Sequence, residues 1–346
     1  MTTNSNLKQA KDARFDEFFT TYEEVEREMN GYISFNKDVF KDKVILLPCD
    51  DHKTSSFTKY FAEHFDEYGI RMLVSSCLAK TTKHGKLQII SRSPDNRRVV
   101  ENKYLSGNGD FRSIDVSRLR DKADMIITNP PWSLFREFFS WIMDGRKQFI
   151  TICNINCIGN PNVFSYIKKG VVFPGNRWHR NIGGHGILFE VDNVIQVHSK
   201  NPVKEDGRVW VPVASAGWLT NVPHAFNHKL DLHTMEYNLK YGRPIVVEKG
   251  YRKYDNYDAI EVPFCDAIPS DYEGLMGVPI TFLEYYDPAE FEIIGKTGHD
   301  DPYDLKTKKY TVKDGPILKS LLSVAVLEED DGYRAVYQRL LIKHRR

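Results

Sequence analysis

Apolar positions in the first half of the chain alternate between two spacings. Short unbroken runs such as Val44-Ile45-Leu46-Leu47, Met72-Leu73-Val74, Met125-Ile126-Ile127 and Phe149-Ile150-Thr151-Ile152 read as buried strands. Between them, Phe15, Phe18, Tyr22, Val25 and Met29, then Phe57, Tyr60, Phe61 and Phe65, then Phe135, Phe138, Phe139 and Ile142 recur at steps of three and four. That spacing predicts helices with one apolar face. Strand and helix alternate through about residue 158, the pattern of a doubly wound α/β domain. From Gly159 onward the segments shorten, and Gly, Pro and Trp become frequent. The expected organisation is a polar, flexible stretch over 1–14, an α/β domain over 15–158, and a further region over 159–346.

One stretch interrupts the alternation. In Ile126-Ile127-Thr128-Asn129-Pro130-Pro131-Trp132, two prolines follow directly on a predicted central strand. They have no N–H for a ladder and hold φ near −65°, so the strand ends at Asn129 in a rigid turn. Ser133 is placed to cap the helix that follows. The amino group of an adenine is a poor nucleophile because its lone pair is delocalised into the ring. An Asn129 side-chain oxygen and a Pro130 carbonyl accepting from that amine would draw the nitrogen toward tetrahedral geometry, with little reorganisation because proline fixes the carbonyl's direction. Pro131 completes the turn, and Trp132 offers a flat face on which an extruded base can stack, worth roughly 1–3 kcal/mol. Asn-Pro-Pro is also an ordinary turn. Its place between a buried strand and an amphipathic helix favours the chemical reading.

Other strand exits carry acids. Pro48-Cys49-Asp50-Asp51 lies where open α/β sheets bind nucleotides. It lacks a Gly-x-Gly loop for a pyrophosphate, which suits a donor such as S-adenosylmethionine, whose amino and hydroxyl groups call for carboxylates. Helix capping by Asp50 and Asp51 is the equal alternative. In Gly107-Asn108-Gly109-Asp110-Phe111-Arg112, Asp110 is placed to accept from an adenine amino group and Phe111 to pack on the ring, or the segment is a plain turn. Phe18 and Thr20 stand either at the rim of a cofactor pocket or at the acidic, aromatic start of a core helix.

Composition narrows the class without naming a partner. With 48 basic and 47 acidic residues the net charge is +1, so any DNA-binding face must be local. Two stretches qualify. Lys80 to Arg98 is basic and reads as solvated loop or a phosphate-contacting insertion, and Arg177-Trp178-His179-Arg180-Asn181 lies in a glycine-rich loop able to reach phosphates and base edges, or is a surface hairpin. Lys253 and Asn256 sit in a further polar, aromatic turn. No apolar run approaches membrane-spanning length and no leader pattern opens the chain. Five scattered cysteines, without metal spacing, predict free thiols in a reducing cytoplasm and no metal site.

Several motifs occur together and in order. They are Asp16-Glu17-Phe18 with Thr20 and Tyr22, Cys49-Asp50-Asp51 with Ser56-Phe57 and Lys59-Tyr60-Phe61, Gly109-Asp110-Phe111-Arg112-Ser113, and Thr128-Asn129-Pro130-Pro131 with Ser133-Leu134-Phe135. Later come Trp218-Leu219-Thr220-Asn221, Lys253-Tyr254-Asp255-Asn256-Tyr257-Asp258 and Met276-Gly277-Val278-Pro279-Ile280. This set resembles the EcoRI-type adenine-specific DNA methyltransferases over nearly the whole chain. The resemblance implies a Rossmann-like methyltransferase domain, a C-terminal target-recognition region, S-adenosyl-L-methionine as donor, and N6 of a flipped adenine in double-stranded DNA as acceptor. It further implies a monomer in a bacterial or phage-infected cytoplasm, with a cognate restriction endonuclease as a possible partner at the same site. Carried over, Asn129, Pro130 and Trp132 would hold the adenine, and Phe18, Thr20, Asp50 and Asp110 would line the cofactor pocket. Residues 159–250 match weakly, so no recognition sequence is carried over. RNA adenine or a protein glutamine amide as acceptor, and a DNA-binding module without catalysis, are the alternatives.

Overall fold

The computed structural model describes residues 19–79, 83–176, 187–191, 203–205, 208–213, 215–223, 230–298, 304–308, 310, 324–329 and 332–345. Phe18 and the stretch from Arg177 to Asn181 lie outside the described residues. The chain forms two compact units, Met1–Ile167 with Val171–Ala225 and Lys168–Gly170 with Phe226–Arg346. The expected boundary after residue 158 does not coincide with this division, because a later segment returns to the first unit's sheet.

In the first unit, β1 (Phe19–Thr20) leads into α1 (Tyr22–Phe35). Thr21 is extended and its hydroxyl accepts from the Glu24 amide at 3.1 Å, so the helix begins later than the aromatic spacing predicts. Then follow β2 (Val44–Leu47), α2 (Ser56–Glu63), β3 (Met72–Cys77), β4 (Lys86–Arg92), β5 (Arg98–Tyr104), α3 (Ile114–Lys122), β6 (Met125–Thr128), α4 (Phe135–Asp144), β7 (Gln148–Asn154), α5 (Pro161–Lys168) and β8 (Phe173–Pro174). After β9 (Ile187–Val191), β10 (Val203–Glu205) and β11 (Arg208–Val213), β12 (Ala216–Thr220) ends the unit's strands. Eight of them form one mixed sheet in the order β5-β4-β3-β2-β6-β7-β12-β8. Its centre, β3-β2-β6-β7, is parallel, while β4, β5 and β12 run antiparallel to their neighbours.

Side chains alternate across this sheet. Ile45, Leu47, Met125, Ile127, Ile150 and Ile152 pack with Val25, Met29 and Tyr32 of α1 and Phe57, Tyr60 and Phe61 of α2. Phe149 points the other way and meets Phe139 of α4 edge-on, with ring centroids 6.0 Å apart. Helices therefore cover both faces, which is why the central strands read as continuous apolar runs. The basic stretch expected as loop or insertion is largely the β4–β5 hairpin, with Leu87 and Ile90 buried beneath its cations. Ser133 does not cap α4. Trp132–Leu134 form a short 3-10 turn in which the Leu134 amide bonds the Pro131 carbonyl at 3.0 Å, so backbone satisfies the helix start. A second sheet, β1-β9-β11-β10, is antiparallel.

The second unit holds α6 (Met235–Tyr241), α7 (Pro244–Lys249) and a sheet in the order β13 (Ala259–Glu261), β14 (Leu275–Pro279), β18 (Arg339–His344), β15 (Phe291–Lys296), with a hairpin of β16 (Val326–Glu329) and β17 (Gly332–Ala335). Tyr254, Tyr257, Ala325, Leu327 and Leu341 form part of its core. Arg339 and Glu261 make an ion pair at 2.7 Å, both largely buried, and the Tyr254 hydroxyl donates to the same carboxylate. Among the described residues, no helix is long and apolar enough to cross a membrane.

Candidate active site

The strand order reverses between β2 and β6. β2 has β3 on one side and β6 on the other, all parallel, so the carboxyl-end turns after β2 and β6 open side by side. This is the crevice position at which α/β sheets bind ligands. Pro48-Cys49-Asp50-Asp51 leaves one strand, and Asn129-Pro130-Pro131 leaves the other.

Asp50 lies beneath the crevice and is 6 % exposed. Its Oδ1 accepts from the Ser55 hydroxyl at 2.6 Å, and its Oδ2 accepts from the Thr128 hydroxyl at 2.5 Å. Its amide donates to the Ser76 carbonyl at 2.9 Å. Burial pushes its carboxyl up to about 6, against the two hydroxyls that favour the charged form. Asp50 was expected to touch a cofactor; instead each of its oxygens takes a hydroxyl from within the protein, and the side chain is almost closed to solvent. Asp51 is partly open and bonds Lys86 Nζ from the start of β4, while the Lys53 amide donates to its Oδ1 at 3.0 Å. Burial works against the Asp51 charge, but Lys86 and that amide outweigh it and hold the carboxyl below its ordinary range.

The Gly107–Asp110 turn is fastened to the end of β3, with the Ala79 amide donating to the Asn108 carbonyl at 2.8 Å. Gly109 has φ +83°, and a Cβ there would lie 2.2 Å from the Cys77 carbonyl oxygen. Only glycine fits. Asp110 is clamped by Arg112, whose Nε and second terminal nitrogen reach its two oxygens at 2.9 and 2.7 Å; the third nitrogen reaches Glu137 of α4 at 2.7 Å. The guanidinium holds the Asp110 carboxyl below its ordinary range. Phe111 is 4 % exposed and packs edge-on against Phe138 and Trp141, with centroids at 5.1 and 5.7 Å. It therefore belongs to the core under α4 and leaves little ring for a cofactor.

At the Asn-Pro-Pro turn, the Trp132 indole N–H donates to Asn129 Oδ1 at 3.2 Å, and Asn129 Nδ2 donates to the Thr20 hydroxyl at 3.4 Å. Thr20 comes from the second sheet, paired opposite Phe189. The Phe189 ring meets Trp132 at 84° and 5.9 Å, leaving the indole partly exposed. Pro130 is buried, and among the described residues no hydrogen bond reaches its carbonyl. A carbonyl oxygen has two lone pairs, so the bond from Trp132 does not by itself exhaust Asn129 Oδ1 as an acceptor.

Thr20, Asp50, Asn129 and Trp132 are thus joined in one crevice, with Asp51 and Asp110 anchored at neighbouring strand ends. Thr128, Ser55, Lys86 and Arg112 hold them there, and sequence reading missed these four as supports. The hydroxyl directly before Asn129 was the one available clue. In the second unit, Lys253 is exposed and paired with Asp258 at 2.6 Å. Asn256 is 1 % exposed; its Nδ2 donates to the Val324 carbonyl and its Oδ1 accepts from the Val326 amide, each at 2.9 Å. Expected at a DNA surface, it is instead a buried clamp on the β16 segment.

A Pro-stiffened turn with two carbonyl acceptors, beside an acidic crevice without a phosphate loop, is the equipment of an amino-methyltransferase. Comparison with known proteins gives the family on separate grounds. The family model described as adenine-specific methyltransferase EcoRI matches residues 6–345. Type II methyltransferase M.EcoRI of Escherichia coli is 35 % identical over 305 residues, covering 84 % of this chain and 89 % of that protein. Type II methyltransferase M.MgeORF184P of Mycoplasma genitalium is 31 % identical over 294 residues, covering 84 % and 85 %. Type II methyltransferase M.MpnI of Mycoplasma pneumoniae is 31 % identical over 311 residues, covering 88 % and 90 %. The chain belongs to the EcoRI family of adenine-specific methyltransferases.

Proposed function

We propose that this chain methylates N6 of an adenine rotated out of duplex DNA, using S-adenosyl-L-methionine, in a Rossmann-like domain with the later part of the chain reading the target. The observation that carries this reading is the Asn129-Pro130 pair of carbonyl oxygens beside an acidic crevice at the sheet's switch point. The set of residues fits the donor. Asp51 and Asp110 present carboxylates, and Lys86 and Arg112 leave each of them partly open. Bound there, S-adenosylmethionine supplies an electrophilic methyl group.

The chain's own residues prepare the acceptor. Asn129 Oδ1 and the Pro130 carbonyl accept hydrogen bonds from the two amino hydrogens, which frees the nitrogen lone pair for in-line attack; once the new C–N bond has formed, the excess proton on nitrogen is lost to solvent. Trp132 gives the displaced base a surface, offsetting the few kcal/mol spent on unstacking it. Arg177, Trp178, His179, Arg180 and Asn181, with Lys253, are the proposed DNA contacts. The active form is taken to be a monomer, sharing its site with a cognate endonuclease. Tritiated methyl transfer to duplex DNA, RNA and protein, followed by nucleoside digestion, tests the reading. N6-methyladenine in the DNA arm alone is expected; label confined to RNA or protein, or none at all, would overturn it.

A further inference from the structure

We infer that Thr128 and Asp50 form a strut across the sheet's switch point that sets the position of the Asn129-Pro130 turn, so that Asp50 acts on catalysis through Thr128 and not through the cofactor. The inference rests on the methyl-transfer reading above but assigns roles which that reading leaves out.

Thr128 is the last residue of β6 and is fully buried, and Asn129 follows it directly. Its hydroxyl donates to Asp50 Oδ2 at 2.5 Å, and its carbonyl accepts from the Thr151 hydroxyl of β7 at 3.0 Å. The residue before the catalytic turn is therefore held from both sides, by the exit turn of β2 and by β7. Asp50 in turn is fixed by Ser55, whose hydroxyl also accepts from the Phe57 and Thr58 amides at the start of α2. Asp50 thus joins the start of α2 to the end of β6, the neighbour of β2 in the sheet. A hydroxyl bonded to a buried carboxylate is shorter and stronger than a neutral pair, and it fixes χ1 of a β-branched residue already short of rotamers. On its far side the turn runs into a helix start with no side-chain cap, where the Leu134 amide bonds the Pro131 carbonyl. A turn that must offer two acceptors to one nitrogen tolerates little drift, since small misplacement costs rate without weakening binding of either reactant.

The test compares wild type with T128V, T128S and D50N in steady-state and single-turnover methyl transfer to duplex DNA. Binding of S-adenosylhomocysteine is followed by calorimetry and folding by thermal melting. T128V, nearly isosteric, should lower kcat by about 10- to 100-fold while the KM for cofactor and DNA stays within about three-fold. T128S should recover kcat to within about three-fold of wild type, and D50N should repeat the T128V split. If T128V melts early, T128S and D50N decide by the same criteria. T128V at wild-type kcat, or D50N losing cofactor affinity in step with rate, would overturn the strut. A wild-type protein that methylates no adenine would overturn the proposed function itself, whereas an active wild type with indifferent variants removes only this inference.

Discussion

Replacing Asn129 with alanine separates chemistry from folding. In the resting site the contacts of the side chain include two long ones, 3.2 Å from the Trp132 indole and 3.4 Å to the Thr20 hydroxyl, in a partly exposed position. Losing these two should cost below about 1 kcal/mol of stability. The rate effect is larger, because Oδ1 is one of only two acceptors proposed for the reacting amine. Removing one member of such a preorganised pair costs about 2–4 kcal/mol in the transition state, or roughly 30- to 1000-fold. Single-turnover methyl transfer to duplex DNA measures the rate, and calorimetry with S-adenosylhomocysteine reports on the cofactor crevice, whose Asp51 and Asp110 anchors do not touch Asn129. The expected result is an unchanged melting temperature and cofactor affinity with a collapsed rate. An N129A protein turning over within three-fold of wild type would remove Asn129 from the mechanism.

Gly109→Ala would force a Cβ to within 2.2 Å of the Cys77 carbonyl at a positive φ. It should lower stability by about 1–3 kcal/mol and displace Asp110, seen as a lower melting temperature and weaker cofactor binding. Asn256→Ala leaves the Val324 carbonyl and Val326 amide without their shared partner. A loss of about 2–3 kcal/mol in chemical denaturation is expected, with DNA affinity of the folded fraction unchanged; weaker DNA binding at wild-type stability would restore it as a DNA-contacting residue. Asp50 titrates in the folded protein at about 6, above the ordinary 3.8. Its neutral form therefore favours folding below pH 3.8, and that contribution, on the order of 3 kcal/mol, is lost as pH rises through about 6. The melting temperature of D50N relative to wild type should climb between pH 4 and 6 and then level off. A flat difference would mean that Asp50 does not titrate in that window.

The parallel centre of the sheet was legible because strands buried on both faces must be apolar at every position, as Ile45, Leu46 and Ile126 are. The Asn-Pro-Pro turn was legible because proline chemistry leaves few conformations open. The β4–β5 hairpin was not, because its cations face solvent at the sheet's edge and β4 buries only Leu87 on one face and Ile90 on the other, which leaves no alternating pattern to read. Likewise, Asp50 and Asn256 are polar residues of the kind that serve binding sites. Their partners, Thr128, Ser55 and the backbone near Val324, are brought in by the fold from distant or unremarkable positions. Periodicity cannot reveal such pairings, because it reports which way a side chain faces and not what it finds there.

β12 has a consequence for how the protein is made. Its residues pair with the outer side of β7, Ala216 opposite Asn154 and Thr220 opposite Ile150, and Trp218 completes the core. Until that strand emerges from the ribosome, the newly made edge of β7 has no neighbour. At about 5–20 residues per second the wait is roughly 3–12 s, long enough for a nascent chain to meet another strand edge or a chaperone. Slowing translation between codons 155 and 215 should therefore lower the soluble yield of this protein more than the same delay placed after codon 225.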